Sequence, residues 1–468
     1  MDKNINMKNI INKIKNLSLV KINKILIIIA LLSLIYRNGS FALSFPNPFE
    51  VIFVLICTLT LIDLIKNNKI KEFFSSIPKR ILIASICLVF SILLGWLIAI
   101  FLKDVPSTFN NILEFGGFAI GLGIFVLILF YTKNDKIYAE KLFYPLLLPS
   151  LFSIFILFSG VAYYFNIANE STFLGFTYNP NIISKILLIP TLFFITNSLF
   201  ESKNKWLKLG YFVISSALVA LLFWVASRAA LVALALGSLL ILFVFSLHNF
   251  NWKKLIYSGI IIFFIFLMGL VITPYTGKQV FLDKFLNPSN SNFIYSDLED
   301  QSAKGILSKF ISGISTTPTS ITNTTYPVVS ITPIIKPIII IDASKEPRFK
   351  NWPLYLNKVI QNPLGLGPNT HMNISPKGDE PIVLGPHNTY IDIWLWGGIF
   401  GLLSFLYLLF SSFKNLKIKL QSNFEKKGVA LLGILFALSI AIFFNDSLQI
   451  FEFWIILALS LRYEKTIN

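Results

Sequence analysis

Cysteine, histidine and charge are the scarce ingredients of this 468-residue chain. The two cysteines, Cys57 and Cys87, sit inside apolar runs, which excludes a disulfide framework and a thiolate metal site. Charged residues make up 13% of the chain, against roughly 25% in a soluble domain. Apolar residues reach 55% and the mean hydropathy is +0.72, so a soluble enzyme of this size is excluded. Acidic residues are outnumbered 23 to 40 by basic ones, leaving a net charge of +17. In a soluble protein that excess would point to nucleic acid. In a membrane protein it points first to Lys and Arg sorted to the cytoplasmic side. No repeat relates the two halves of the chain, so a signature common among transporters is missing.

What is abundant is long apolar runs. A bilayer core takes about 20 apolar residues per helix, and runs of that kind, bounded by charge, Pro or Asn, predict twelve spans. They lie near 19–36, 49–65, 81–102, 112–131, 142–165, 182–200, 207–225, 229–247, 255–273, 389–413, 429–444 and 447–461. The expected fold is therefore an all-α polytopic membrane protein. Transmembrane helices 1–9 fill 19–273, a long loop fills 274–388, and helices 10–12 with a tail fill 389–468. No small-residue cleavage site follows the first span, so it reads as a retained signal anchor with a cytoplasmic N-terminus. In the basic segment 1–18, Ile10, Ile14 and Leu17 recur at helical spacing among lysines. Either a helix lying on an anionic membrane surface or a solvated tail fits that pattern.

Assigning alternate connections to opposite sides places 26 of the 40 basic residues on one side. With the eight acidic residues there, that side carries +18 and the rest of the chain −1. The positive-inside rule makes this the cytoplasmic side and puts both termini there. The long loop 274–388 then faces outward. Its stretch 311–341 is rich in Ser, Thr, Pro and Ile with four prolines, which predicts an extended or partly disordered insertion. In the motif-bearing end, 346–388, Trp352, Tyr355, Leu356, Val359 and Ile360 share a helical face, with Pro353 tolerated near the helix start. The turn NPLGLGPN follows.

An ionisable residue between apolar spans is costly and thus a functional candidate. Lys103, Asp104, Glu114, Lys185, Arg228, Asp392, Asp446 and Glu452 all fall near outer ends of spans, which suggests a one-sided, outward-facing site. Arg228 opens the eighth span in WVASRAALVALALG, where Ser227 could cap the helix and the first turn would favour an anion such as pyrophosphate. Snorkelling to lipid phosphates is the competing reading of Arg228. His248 reads as a solvated surface residue. His371 and His387, with Asp379 and Glu380 between them, lack metal-ligand spacing, so no metal site is expected. His387 ends the loop in GPHNTYIDIWLWGGIFGLL, where a neutral imidazole could accept the proton of an acceptor hydroxyl. The glycines of LGLGPN read as a turn because no strand precedes them.

These residues resemble those of the O-antigen ligase and O-antigen polymerase family, which includes bacterial O-linked oligosaccharyltransferases. The family's Ser-Arg-Gly/Ala helix start is similar to Ser227, Arg228 and Ala229. Its Arg, Trp, Pro and Gly-x-Gly loop pattern is similar to Arg348, Trp352, Pro363, Gly365 and Gly367. Its His-Asn-x-Tyr and following glycines are similar to His387, Asn388, Tyr390, Gly397, Gly398 and Gly401. Asn179 to Asn181, an Asn-Pro-Asn opening the sixth span, also looks familial. The acidic residue frequent before the family's glycine pair is Trp396 here.

The resemblance implies transfer of a polyprenyl pyrophosphate-linked glycan to a lipid, glycan or protein hydroxyl acceptor. The site would be the outer face of the bacterial cytoplasmic (inner) membrane, with membrane lipids as surroundings. No nucleotide sugar, metal, cofactor or nucleic acid is implied. Arg228 and Arg348 would neutralise the leaving pyrophosphate, and His387 would take the acceptor proton. Lys185, Arg37, Asn388 and Tyr390 are the substrate-binding candidates. Two other classes stay open: a multi-span solute transporter, and a non-catalytic envelope-assembly protein carrying the same outer-loop domain.

Overall fold

The computed structural model describes residues 18–33, 48–103, 109–133, 135–148, 151, 153–155, 180–201, 204–249, 252–273, 352–368, 386–422, 424–444 and 450–462. The described helices begin with α1 (Leu19–Ser33), α2 (Pro48–Lys66), α3 (Ile70–Ser76), α4 (Lys79–Lys103), α5 (Phe109–Thr132) and α6 (Lys136–Lys141). They continue with α7 (Pro180–Phe200), α8 (Lys205–Val225), α9 (Arg228–Asn249) and α10 (Trp252–Ile272). The last are α11 (Trp352–Gln361), α12 (Thr389–Ser422), α13 (Lys426–Phe443) and α14 (Phe451–Arg462). No strand occurs among the described residues, and the protein is an all-α polytopic membrane protein.

Nine described helices, α2, α4, α5, α7 to α10, α12 and α13, are long and apolar enough to cross a membrane. At 1.5 Å per residue, about 20 residues match a 30 Å hydrocarbon core. The remaining three expected spans are seen in shorter form. The described parts of α1 and α14 have 15 and 12 residues. Where a span was expected from residue 142, α6 ends at Lys141 and a short 3-10 turn, Tyr144–Leu147, follows with Pro145 inside it. Proline removes a backbone donor, which works against a continuous helix here. Beyond that turn only 148, 151 and 153–155 of the expected span are described, all helical; 156–165 lies outside the described residues, as do 1–17, Arg37, the insertion 311–341 and Arg348.

Helix α12 departs from the expected 389–413. It runs on to Ser422, because Lys414, Lys417 and Lys419 end the apolar run without ending the helix. It is also broken at Gly398, whose φ of 62° and ψ of −162° no helix contains. A short arm, 389–397, precedes the break, and the long span follows it.

Many polar side chains inside the bundle are satisfied locally, as a bilayer favours. In α7, enclosed along almost its whole length, Thr191, Thr196, Asn197 and Ser198 donate to backbone carbonyls of the preceding turn at 2.6–2.8 Å. Between helices, Asn23 of α1 donates to Thr60 of α2 at 3.1 Å and to the Tyr131 hydroxyl of α5 at 2.7 Å. Such buried bridges hold transmembrane helices together where no hydrophobic driving force exists.

One end of the bundle gathers the ion pairs: Lys24 with Asp135 at 2.6 Å, Lys427 with Glu140 at 2.8 Å, and Lys426 with Glu201 at 3.3 Å. Loop alternation had put these six residues on one side of the membrane, and the fold brings them together across as many as 287 positions. The opposite end carries α11, the turn after it and the start of α12.

Candidate active site

At that opposite end, α11 begins with Trp352 and buries Tyr355 and Val359. Leu356 and Ile360, expected on the same face, are exposed. The stripe that meets the bundle is narrower than the apolar pattern suggests. After α11 the chain folds back through Asn362 to Pro368, with Gly365 and Gly367 at φ of 88° and 80°, a left-handed backbone that glycine adopts without strain.

This turn plugs the break in α12. The backbone N–H groups of Leu366 and Gly367 donate to the carbonyls of Leu395 and Trp396 at 2.6 and 3.0 Å. In return, the Ile399 N–H donates to the Pro363 carbonyl at 2.9 Å. The backbone groups orphaned by the break are thus paired by the turn. A Cβ at Gly398 would collide with Pro363 and Leu364, and one at Gly95 of α4 would meet the Trp396 and Leu364 carbonyls. Two motifs that sequence reading kept separate, the Gly-x-Gly turn and the Gly-Gly of α12, are two halves of one interlock against α4. Asn111 of α5 fastens its far edge by donating to the Pro368 carbonyl at 2.7 Å, and Lys103 donates to the Asn362 side chain.

His387 stands immediately before α12. Its φ is 47°, uncommon for a residue with a side chain. Both neighbours are fixed. The Pro386 carbonyl accepts the indole N–H of Trp352 at 3.0 Å. Asn388 caps α12, its side-chain oxygen accepting the N–H groups of Tyr390 and Ile391 at 2.9 and 3.2 Å. Tyr390 donates its hydroxyl to the Ser439 carbonyl of α13 at 3.1 Å, and its ring faces Phe405 and Phe443. Trp352 meets Phe443 edge-on at 5.4 Å. Asn388 and Tyr390, the substrate-binding candidates, are thus anchored to α12 and α13 beside His387, which is half-buried.

A second group surrounds the α8–α9 turn. Ala226 takes a left-handed φ of 52° and donates to the Leu222 and Phe223 carbonyls, closing α8. Only Ser227 separates it from Arg228, which starts α9 and is exposed. The Ser227 hydroxyl, expected to cap α9, instead donates to the Asn181 side-chain oxygen at 3.5 Å. The starts of α7 and α9 are thereby tied together, joining the Ser-Arg-Ala and Asn-Pro-Asn motifs. Lys185, one turn further along α7, is only 2% exposed. Its expected place was the bundle's edge; enclosure of α7 by α8, α9 and α13 puts it in the interior.

The described contacts place His387 and Arg228 in two groups flanking α13, which packs against α7, α9 and α12. Among the other candidates, Asp392 and Glu452 are buried, and Asp104, Asp446, His371, Asp379 and Glu380 lie outside the described residues. Sequence reading missed the Trp352 indole as a backbone donor and Asn181 as the partner of Ser227. The motifs contained both residues, but nothing in their spacing shows what they touch.

No curated protein matches this chain. A family model described as O-antigen ligase matches residues 212–406, less than half of the chain but all of α9, α10, α11 and the interlock. The segment that carries Arg228, the Gly-x-Gly turn, His387 and the broken start of α12 is therefore the part of the chain that is similar to the O-antigen ligase family.

Proposed function

We propose that the protein transfers a polyprenyl pyrophosphate-linked glycan to a hydroxyl acceptor on the outer face of the bacterial cytoplasmic membrane, with both termini cytoplasmic. The match of residues 212–406 to the O-antigen ligase family model supports the coarser statement, a ligase- or polymerase-like enzyme of surface glycan biosynthesis that works on lipid-linked glycans. The observation that carries the finer one is the fixed, half-buried His387 at the end of the bundle opposite the ion pairs.

In this reading the acceptor oxygen attacks the anomeric carbon as His387 takes the hydroxyl proton. The bond from that carbon to the pyrophosphate oxygen breaks, and polyprenyl pyrophosphate leaves as the anion. A single displacement of this kind inverts the anomeric centre. Arg228 and Arg348 neutralise the charge developing on the leaving group. Exposure of Arg228 at the first turn of α9 suits it to an anion arriving from the membrane surface. Lys185 and Arg37 add positive charge near the phosphates. Asn388 and Tyr390 act by holding His387 in place. No metal or cofactor takes part.

The deciding experiment uses purified protein in lipid discs with a polyprenyl pyrophosphate-linked glycan as donor. His387→Ala should abolish transfer while the protein still inserts and unfolds at the wild-type temperature. Undiminished transfer in that variant would overturn the proposed mechanism. The product separates the two enzymes: a complete glycan on a new acceptor marks a ligase, and a longer chain still on polyprenyl pyrophosphate marks a polymerase.

A further inference from the structure

Two hexapeptides share one pattern: WLKLGY at Trp206–Tyr211 and WKKLIY at Trp252–Tyr257, each Trp-x-Lys-Leu-x-Tyr. The first opens α8 and the second opens α10. Because α9 carries the chain back across the bundle between them, α8 and α10 run parallel and start from the same end. That end also holds the Lys426–Glu201 pair, four residues before Lys205. The two helices pack directly on each other, and the Lys208 ammonium lies 4.9 Å from the centre of the Tyr257 ring, joining one motif to the other.

The side chains so paired are unusual in what they present. Trp206 is 82% exposed and Trp252 70%. Lys205, Lys253 and Lys254 are exposed beside them, with Lys208 half-buried. From residue 202 to 273 the chain contains no acidic residue, and Glu201 is engaged by Lys426. The first amides of α8 are occupied by the Asn204 side chain, at 3.0 and 3.2 Å, so an anion there would meet ammonium groups rather than helix amides.

We propose that these paired helix starts form a binding site for an anionic phospholipid of the leaflet at that end, shared by α8 and α10. The phosphate is held by the lysines, and the two indoles lie at the boundary between headgroup and acyl chain. A soluble anion would engage the lysines alone and leave both indoles in water. A lipid satisfies both, since an indole has an apolar body and a polar N–H suited to that boundary. The consequence reaches across the membrane. Helix α8 is a continuous 21-residue rod whose far end is the turn bearing Ser227 and Arg228. A headgroup fixed at its start therefore sets the depth of that turn in the bilayer. The binding inference does not depend on the glycan-transfer reading.

The test uses the full chain in phosphatidylcholine discs with increasing phosphatidylglycerol, reading the retained lipid by native mass spectrometry. Wild-type protein should retain phosphatidylglycerol over phosphatidylcholine. The variant K205Q/K208Q/K253Q/K254Q should lose that preference, by roughly fivefold for each lysine. Arginine at the same four positions should keep it, and W206L/W252L should weaken it with the charge unchanged. K66Q/K71Q, at the same end but outside the paired motifs, should have no effect. Unfolding temperatures in pure phosphatidylcholine discs should match across the set, and K205Q/K208Q and K253Q/K254Q should each give a partial loss. Three results would overturn the proposal: an unchanged preference in the quadruple glutamine variant, an equal loss per charge in K66Q/K71Q, or displacement of the lipid by millimolar inorganic phosphate.

Discussion

The indole Nε1–H of Trp352 donates to the carbonyl oxygen of Pro386 at 3.0 Å, across 34 positions of chain. This bond connects the helix that leads into the Gly-x-Gly turn to the residue just before His387, and it holds one side of a left-handed backbone. The other side is held by the Asn388 cap.

Trp352→Phe keeps a ring against Phe443 and deletes the donor. If His387 is the base, transfer should fall about fivefold in kcat with KM nearly unchanged, in line with one lost hydrogen bond of about 1 kcal/mol. Steady-state kinetics beside a thermal unfolding curve separate this from a general loss of fold. A wild-type kcat would show that the bond has no part in placing His387.

Asn388→Ala should lower stability by about 1 kcal/mol through the lost cap of α12. Asn388→Asp should largely restore both stability and transfer, because a carboxylate also accepts the Tyr390 and Ile391 amides. If Asn388 contacted substrate instead, Asp would leave KM raised while stability recovered.

Gly398→Ala places a methyl group against Pro363 and Leu364 at a positive φ, and should destabilise the domain by about 3 kcal/mol. Gly116→Ala and Gly210→Ala, where an added Cβ meets nothing within 4 Å, should be neutral or slightly stabilising. Thermal unfolding of the purified variants reads the contrast directly.

Arg228→Ala should reduce transfer by about two to three orders of magnitude. Arg228→Lys should recover part of it, since an ammonium supplies the charge without the planar fork. Equal activity of Arg228→Ala and wild type would reduce this arginine to a lipid-facing anchor.

At the other end of the bundle, the hydrogen bond from Lys24 holds the Asp135 carboxyl below the ordinary carboxylate range. A depressed folded pKa adds stability above the unfolded value of about 3.9 and loses it as pH falls through the lower folded value. Asp135→Asn should therefore lower Tm at neutral pH, by about 1–2 °C for so exposed a pair. The difference from wild type should shrink as pH falls below about 4. Because asparagine can still accept the Tyr138 N–H that Asp135 accepts at the start of α6, a Tm difference independent of pH would show that the charge of Asp135 is not its source.

The membrane class, most of the spans and the sorting of charge were legible in the amino-acid sequence, because apolar length and loop charge are properties each segment carries alone. Lys24, Asp135, Glu140, Glu201, Lys426 and Lys427 were assignable to one side before any of them was seen in contact. The turn at Gly365 and Gly367 was legible too, since a positive φ is a local demand that glycine meets. What only the tertiary structure decided are relationships between distant segments. Gly398 breaks α12 because the Pro363 carbonyl and the Leu366 and Gly367 amides are there to pair what the break exposes. Lys185 lies in the interior because α8, α9 and α13 close around α7, and the Asn388 side-chain oxygen caps α12. Local sequence sets which residues can make such contacts. Which of them do is fixed by backbone approaches of a few ångströms between helices hundreds of residues apart, and no spacing along the chain encodes those.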